Sequence, residues 1–334
     1  MSLPQRRVGA SGLSVSVIGL GCNNLGRPGT ATQDQAGADA VVRAALEHGV
    51  TFFDVADIYG SRAGLSEERL GRALGAEREH VVIGTKFGMD AAGANGPDFG
   101  ARGSRSYIVR AVEASLRRLG TDWIDLYQFH TPDAATPIEE TLAALDDLVS
   151  AGKVRYVGHS NRAGWQIAEA EFVARELGVE RFVSAQNQYN LLDRRAELEV
   201  LPAARAFGLG VFPYFPLANG MLTGKYSDGT APQGSRLTRV RQHLVEDADL
   251  EQLAAYGRFA ADRGLTEVQV ALGWLTAQQP VSSVIAGATR PEQIAQNVRA
   301  ADWQPTDADL AALDALFPAP ENCLLYTSEA ADEA

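Results

Sequence analysis

Asp54, Tyr59, Lys86 and His130 are the residues of this chain whose types and spacing could do chemistry together. Three of them end an apolar, strand-like run (Thr51-Phe-Phe-Asp54, His80-Val-Val-Ile-Gly-Thr-Lys86 and Asp122-Trp-Ile-Asp-Leu-Tyr-Gln-Phe-His130), and Tyr59 follows the first of these by a short turn. Strand ends are where a parallel α/β barrel gathers its reactive groups. The four side chains form a set for proton transfer. When hydride adds to a carbonyl, negative charge develops on oxygen and a positioned acid must supply a proton. Tyr59 can be that acid if its pKa falls from about 10 toward neutrality. Lys86 supplies positive charge that stabilises a tyrosinate, and Asp54 pairs with Lys86 and holds it in place. His130 has donors to orient the carbonyl oxygen or to assist the transfer. No metal is needed. Singly, Asp54 reads as a strand-end cap, Tyr59 as a loop aromatic and His130 as a core histidine; their appearance after three successive strands is what points to a site.

Composition supports the lysine independently. Of 30 Lys plus Arg only Lys86, Lys153 and Lys225 are lysines, so this chain uses Arg wherever a generic cation serves. A compact ammonium has a pKa that burial and neighbours can move, whereas a guanidinium effectively cannot be deprotonated and needs more room.

The elements that must position these residues alternate between strand and helix patterns. Two short apolar runs within 8–20, around Gly9-Ala-Ser-Gly12, predict a hairpin plugging a barrel bottom followed by the first strand. Helices are expected at 34–48, 66–74 and 104–119, the last from the spacing of Ile108, Ala111, Val112, Leu116 and Leu119. Strands are expected at 51–54, 81–86, 123–129, 154–158, 183–186, 211–214 and 283–286, which with the first makes the barrel count. Thr136-Pro-Ile-Glu139 has the form of a capping box with Pro at the first helical position. The expectation is a single (β/α)8 TIM barrel over residues 1–322 with an N-terminal β-hairpin and long strand-end loops. Two such loops, 88–105 and 218–241, exceed the length of ordinary connections, and suggest substrate gating and cofactor clamping respectively.

A length of 334 residues suits one such domain. The net charge of −12 argues against nucleic acid or an anionic membrane surface as a partner. An anionic cofactor must then be met by local cations and helix ends. Two cysteines at opposite ends of the chain form neither a disulfide framework nor a metal cluster. The N-terminal Met-Ser-Leu-Pro-Gln-Arg-Arg lacks the apolar core of a signal peptide, and no run approaches the length of a membrane span, so a cytoplasmic location is expected. Oligomeric state is not legible.

These motifs resemble the aldo-keto reductase family, in the branch related to potassium-channel β subunits. The match runs through Asp54-Val-Ala-Asp-Ile-Tyr59-Gly, Gly84-Thr-Lys86, Gln128-Phe-His130, Gly158-His-Ser160-Asn161, Gln186-Asn-Gln-Tyr-Asn190, Leu222-Thr-Gly-Lys225-Tyr and Gly287-Ala-Thr-Arg290-Pro-Glu, nearly the whole chain. The resemblance implies Asp54, Tyr59, Lys86 and His130 as the catalytic residues, and a nicotinamide nucleotide extended across the barrel mouth. The nearest glycine-rich stretch, Gly19-Leu-Gly21-Cys-Asn-Asn24, lacks the third glycine of a dinucleotide fingerprint. By the resemblance, Ser160, Asn161 and Gln186 meet the carboxamide, with donors and acceptors together suiting an amide. Tyr214 stacks beneath the nicotinamide ring, and Pro216, Leu217, Gly220 and Lys225 lie toward the pyrophosphate. Gly287, Thr289, Arg290, Gln293 and Asn297 serve the adenosine end, with Arg290 for a 2′-phosphate and Asn297 for adenine. Thr289 and Glu292 have capping-box spacing, so free backbone N–H groups are expected there.

Departures from the family pattern bear on the cofactor. Some members carry basic residues at the positions of Gly287 and Gln293, so NADP(H) is expected with NAD(H) use left open. Phe215 stands where Ser is common. A substrate pocket of Cys22, Asn23, Ile58, Phe87, Met89, Phe99 and Asn190 is expected to surround a small aldehyde, ketone or sugar-derived carbonyl. Two other readings stay open: an NAD(P)-dependent sugar dehydrogenase working in the oxidative direction, and a nucleotide-binding regulatory subunit. Finally, Cys323-Leu-Leu-Tyr-Thr-Ser328 looks like translated sequencing-adaptor DNA, so 323–334 is expected to be a non-native tail.

Overall fold

The computed structural model describes residues 3–226 and 243–320. The tail at 323–334 and most of the second long loop lie outside the described residues. Strands β1 (Gln5–Arg7) and β2 (Ser14–Ser16) pair antiparallel. Eight parallel strands follow: β3 (Ile18–Gly21), β4 (Phe52–Asp54), β5 (Val82–Phe87), β6 (Ile124–Phe129), β7 (Val154–Ser160), β8 (Ser184–Gln186), β9 (Gly210–Val211) and β10 (Val284–Gly287). They pair in chain order, with β10 against β3. A parallel bridge between Val211 and Val281 brings β9 beside the approach to β10 and closes the barrel. The expected eight strands and the hairpin are therefore both present.

Helices α1 (Gln35–Glu47), α2 (Leu65–Leu74), α3 (Arg105–Leu119), α4 (Ile138–Ser150), α5 (Gly164–Leu177) and α6 (Val200–Phe207) connect the strands up to β9. Beyond β9 the described residues hold α7 (His243–Glu246), α8 (Leu250–Ala261), α9 (Glu267–Ala277), α10 (Pro291–Val298) and α11 (Asp307–Leu316). The expected capping box at Thr136 is not made. Pro137 is the N-cap of α4, and the Thr136 hydroxyl instead donates to Asp133 Oδ2 at 2.8 Å. That carboxylate also accepts from Gly103 N at 2.7 Å, so it recruits Thr136 into a loop-to-loop tie.

The period-2 alternation of strands splits the core into two layers. One side of each strand packs against helices in a large cluster that includes Val41, Ile83, Ile108, Tyr127, Leu145 and Ile167. The other side faces the barrel axis. There Phe52, Leu126, Phe212 and Ile285 pack with Val8, Leu13 and Val15 of the hairpin segment, which therefore plugs the barrel bottom. Phe52 and Phe212 lie 4.8 Å apart between ring centroids. Two residues on from Phe52 and Leu126 come Asp54 and Gln128, so the axial lining changes from apolar to polar within one pleat.

The hairpin turn meets the barrel wall very closely. Gly9 has φ 56°, and a β-carbon there would lie 2.1 Å from the Gly208 carbonyl oxygen and 2.6 Å from Gly210 N. Gly178 has φ 67° and ψ 31°, an ordinary left-handed conformation, with open space around it. Alanine at Gly178 strains the backbone by about 1–2 kcal/mol, and only Gly9→Ala also forces the plug away from the wall. Thermal denaturation should show Gly9→Ala clearly less stable than Gly178→Ala. Equal midpoints would refute the close-approach account.

Candidate active site

At the polar level of the barrel axis, the Lys86 ammonium is fully buried and donates to Asp54 Oδ2 at 2.7 Å and to the Val55 carbonyl at 2.8 Å. Asp54 Oδ1 accepts from Gln128 Nε2 at 3.2 Å and from Gln186 Nε2 at 2.9 Å, so both carboxylate oxygens are engaged. Burial pulls the Lys86 pKa down, but attraction to Asp54 and Tyr59 outweighs it and the net direction is up. Lys86 is therefore a permanent cation at neutral pH.

The ammonium lies 5.2 Å from the centroid of the Tyr59 ring. The Tyr59 and His130 rings meet edge to face with centroids 6.0 Å apart. All four expected side chains are thus brought together from three strand ends. The expected fall in the tyrosine pKa is not found. Burial raises it, Lys86 opposes this, and the balance remains above the ordinary phenol value, so Tyr59 carries its proton. Burial, and then repulsion from Lys86, pushes His130 well below the usual imidazole range, so its ring is neutral. Its Nδ1 is buried with no hydrogen-bond partner. Its backbone N–H donates to the Phe87 carbonyl at 2.8 Å, fixing where β6 hands over to the loop.

Ser160, Asn161, Gln186 and Tyr214 form one connected group beside this set. The Tyr214 hydroxyl donates to Asn161 Oδ1 at 2.7 Å, and Asn161 Nδ2 donates to the His130 carbonyl at 2.9 Å. Ser160 Oγ donates to the Gln186 carbonyl at 2.7 Å. The Gln186 amide nitrogen, expected to be open to a ligand, is spent on Asp54 and on Gln128 Oε1, because the carboxylate outcompetes neutral acceptors. Pro216 is buried, Leu217 and Gly220 are half-buried, and Lys225 is exposed. At the far end Gly287 is exposed on the last residue of β10. Arg290, not Thr289, is the N-cap of α10. Gln293 Oε1 accepts from Thr289 N at 2.8 Å and from Arg290 N at 3.2 Å, so these two N–H groups are capped by a side chain rather than left free. The expected pairing of Thr289 with Glu292 is not made. Asn297 is buried and Arg290 is exposed.

The expected substrate pocket is only partly assembled. Asn23, Ile58 and Met89 are half-buried near the strand ends. Phe87 is not in the barrel lumen: adjacent strand residues face opposite sides, and with Lys86 inward Phe87 stacks outward on Tyr127 at 4.7 Å and on Phe129 at 5.1 Å. Cys22 is fully buried in the strand–helix core, where burial raises its thiol pKa far above the usual range. Phe99 is 82% exposed with φ 51°, at the outer part of its loop. Asn190 is buried and uses its amide to hold the Phe215 carbonyl at 3.0 Å and Leu192 N at 2.9 Å. Gln128 was missed by sequence reasoning, although its place two residues before His130 put it on the axial side. No group of residues suited to a metal ion occurs among the described residues, and no helix there is long and apolar enough to cross a membrane.

Comparison with known proteins agrees with this arrangement. Residues 17–317 match the model of the aldo/keto reductase family. The chain belongs to that family. It is 38% identical over 319 residues to an uncharacterized oxidoreductase, YrpG, of Bacillus subtilis (strain 168), covering 94% of this chain and 95% of the relative. It is 36% identical to a probable voltage-gated potassium channel subunit beta of Arabidopsis thaliana, covering 90% and 92%. It is 35% identical to the L-glyceraldehyde 3-phosphate reductase of Escherichia coli (strain K12), covering 88% and 86%. An oxidoreductase acting on carbonyl compounds with a nicotinamide cofactor is the general activity that membership carries.

Burial also sets a pH dependence. His159, on β7, is fully buried with neither ring nitrogen partnered, and burial followed by repulsion from Arg162 lowers its pKa well below the usual value. The folded chain refuses a proton that the unfolded chain accepts below about pH 6.5. The stability contributed is complete above that pH and is lost as pH falls. His159→Leu should flatten the decline of the thermal midpoint between pH 7 and 5, by up to about 1.36 kcal/mol per pH unit. Parallel curves for the two proteins would count against a neutral buried ring.

Proposed function

We propose that this protein reduces the carbonyl of a small aldehyde or ketone to an alcohol, with Tyr59 as general acid and NADPH as the preferred cofactor. The observation that carries this reading is the buried Lys86 ammonium, held by Asp54 and set against the face of Tyr59. The residues at the barrel mouth fit a nicotinamide nucleotide. Ser160, Asn161 and Tyr214 present a hydrogen-bonded series of amide and hydroxyl groups, and the buried His130 Nδ1 has an unused hydrogen-bonding position. A reduced nicotinamide, when bound, supplies the hydride.

The chain's own residues do the rest. The neutral His130 ring orients the carbonyl oxygen without adding a charge. The Tyr59 hydroxyl, protonated at neutral pH, delivers its proton to the oxygen as negative charge develops there. Lys86 then faces a phenolate, and the attraction stabilises that product of proton transfer. Asp54 keeps the ammonium in place, and Gln128 and Gln186 keep Asp54 in place. Asn161, in a left-handed conformation at φ 57°, turns the chain off β7 so that its amide can reach both the His130 carbonyl and Tyr214.

The relative named L-glyceraldehyde 3-phosphate reductase supports a small aldehyde as substrate. The relatives named as potassium channel β subunits support a second reading, a nucleotide-binding regulatory subunit in which turnover is slow. An aldose dehydrogenase would use the same residues in reverse. Measuring NADPH oxidation and NAD(P) reduction with a panel of aldehydes, ketones and aldoses separates the three. Cofactor binding without turnover on any of them would sink the reductase reading.

Two variants test the residue roles. Tyr59→Phe removes only the proton donor, so turnover should fall by at least about 100-fold while NADPH affinity is kept; wild-type turnover would reject Tyr59 as the acid. Arg290→Ala should weaken NADPH more than NADH, since only NADPH offers a 2′-phosphate for a charge-assisted contact of about 1.5–3 kcal/mol. Equal losses, read by fluorescence titration, would mean that Arg290 serves another purpose.

A further inference from the structure

Behind the reactive group lies a second, largely buried polar cluster that the mechanism does not use. Asp57 is buried, two residues before Tyr59, and its backbone N–H donates to the Lys86 carbonyl at 3.3 Å. Its Oδ2 accepts from Asn95 Nδ2 at 2.6 Å, while Oδ1 is buried with no hydrogen-bond partner. Asn95 belongs to the loop between β5 and α3. Its Nδ2 also meets the Tyr107 hydroxyl at 3.2 Å, and its Oδ1 accepts from Arg118 Nη2 at 3.0 Å. Arg118 Nε donates to Glu67 Oε2 at 2.6 Å, and Glu67 Oε1 accepts from the hydroxyl of Thr85, the residue before Lys86, at 2.6 Å. Glu67 follows Ser66, whose backbone N–H donates to the Tyr59 carbonyl at 3.1 Å. The cluster therefore touches the segment holding Tyr59, the strand holding Lys86 and the loop that leaves that strand.

We propose that Asp57 and Asn95 form a latch: they are positioning residues that fasten the loop at 88–104 to the turn carrying Tyr59, and the latch is closed when Asp57 carries a proton. The loop is fixed again at Pro97, whose carbonyl accepts from Arg110 Nη2 at 2.6 Å, and at Gly103 through Asp133, and the exposed Phe99 lies between these two points. Opening the Asn95 anchor loosens the loop where it meets the turn carrying Tyr59.

The charge count supports the protonated latch. Three carboxylates (Asp54, Asp57, Glu67) face two cations (Lys86, Arg118) in this enclosed volume. Lys86 is taken by Asp54 and Arg118 by Glu67, which leaves Asp57 without a counterion. The other titratable groups facing it, the Tyr59 hydroxyl from the same turn, the Tyr107 hydroxyl from α3 and the Tyr127 hydroxyl from β6, are held neutral by burial, their pKa values raised. Burial first, then Glu67, pushes the Asp57 carboxyl up to about 8, against the opposing pull of Asn95, Arg118 and Lys86. The folded chain thus keeps a proton that the unfolded chain loses near the ordinary carboxylate value of 3.8. Stability falls as pH rises from that value to about 8 and is level above it.

Asp57→Asn mimics the protonated carboxyl in shape and keeps an acceptor for Asn95; Asp57→Ala and Asn95→Ala open the latch. This proposal rests on the carbonyl-reductase reading for its kinetic arm, and on nothing functional for the other two. Thermal midpoints of wild type and Asp57→Asn should diverge from pH 5 to 8, with Asn the more stable, and then run parallel. Amide-exchange protection in 88–104 should drop between pH 5 and 8 in wild type and then level off, stay level in Asp57→Asn, and be low throughout that range in the two alanine variants. With a reducible aldehyde at pH 7, the alanine variants should raise KM about tenfold with a smaller loss in kcat and unchanged NADPH affinity, and Asp57→Asn should restore KM. Parallel midpoint curves across the whole range would overturn the protonation, and wild-type KM with wild-type loop protection in both alanine variants would overturn the latch. Absence of carbonyl reduction in wild type would sink the reductase reading alone, since midpoints and exchange still decide the latch.

Discussion

A lysine ammonium with no exposure to solvent can exist inside a barrel only if its charge is met at once, and here that requirement organises everything around it. Removing one partner of a buried ion pair costs about 3–5 kcal/mol, because the other charge is left stranded. Asp54 and the Val55 carbonyl meet Lys86, and Gln128 and Gln186 both donate to the other oxygen of Asp54. Four strands, β4, β5, β6 and β8, are thereby tied at one level of the axis. The apolar plug below, with Phe52 and Phe212 in contact, keeps water from reaching the pair from the barrel bottom.

The same constraint shapes the electrostatics of the surroundings. A fixed cation lowers the neighbouring imidazole and opposes the rise of the neighbouring phenol, and burial is nevertheless the larger influence on both. The outcome is a neutral His130 and a protonated Tyr59, a state ready to donate. Tyrosine does not need a pKa near neutrality to be the acid in this arrangement. It needs a charge beside it that favours the phenolate once the proton has left, and Lys86 is that charge. Behind it, a third carboxylate has no counterion, and burial holds its proton well above the usual carboxylate range, so through Asp57 the fold loses stability as pH rises.

The places where sequence reasoning misassigned residues share one cause. Phe87 and Asn190 lie in motifs that belong to the site, but proximity along the chain does not settle which way a side chain points. Phe87 follows Lys86 on a strand, so the pleat sends it to the opposite face. Asn190 has the right chemistry for a ligand and spends it on the Phe215 and Leu192 backbone. Thr136 and Thr289 have capping-box spacing, yet Asp133 captures the first and Gln293 displaces the second from the cap. Local pattern proposes a hydrogen bond; the strongest acceptor or donor within reach decides which one forms.

The sequence by itself determined the eight-strand alternation, the hairpin before it and the meeting of Asp54, Tyr59, Lys86 and His130. The physical reason is that hydrophobic period, turn residues and strand-end position are local properties, and in a parallel barrel every strand end arrives at the same rim. Only the tertiary structure decided that Gln128 completes the shell around Asp54, that Gln186 turns toward that carboxylate, and that Asp57, Asn95, Arg118 and Glu67 form one connected cluster. Those contacts join residues far apart in the chain, and their partners are chosen by burial and by the balance of charges in a shared volume, which no local pattern encodes.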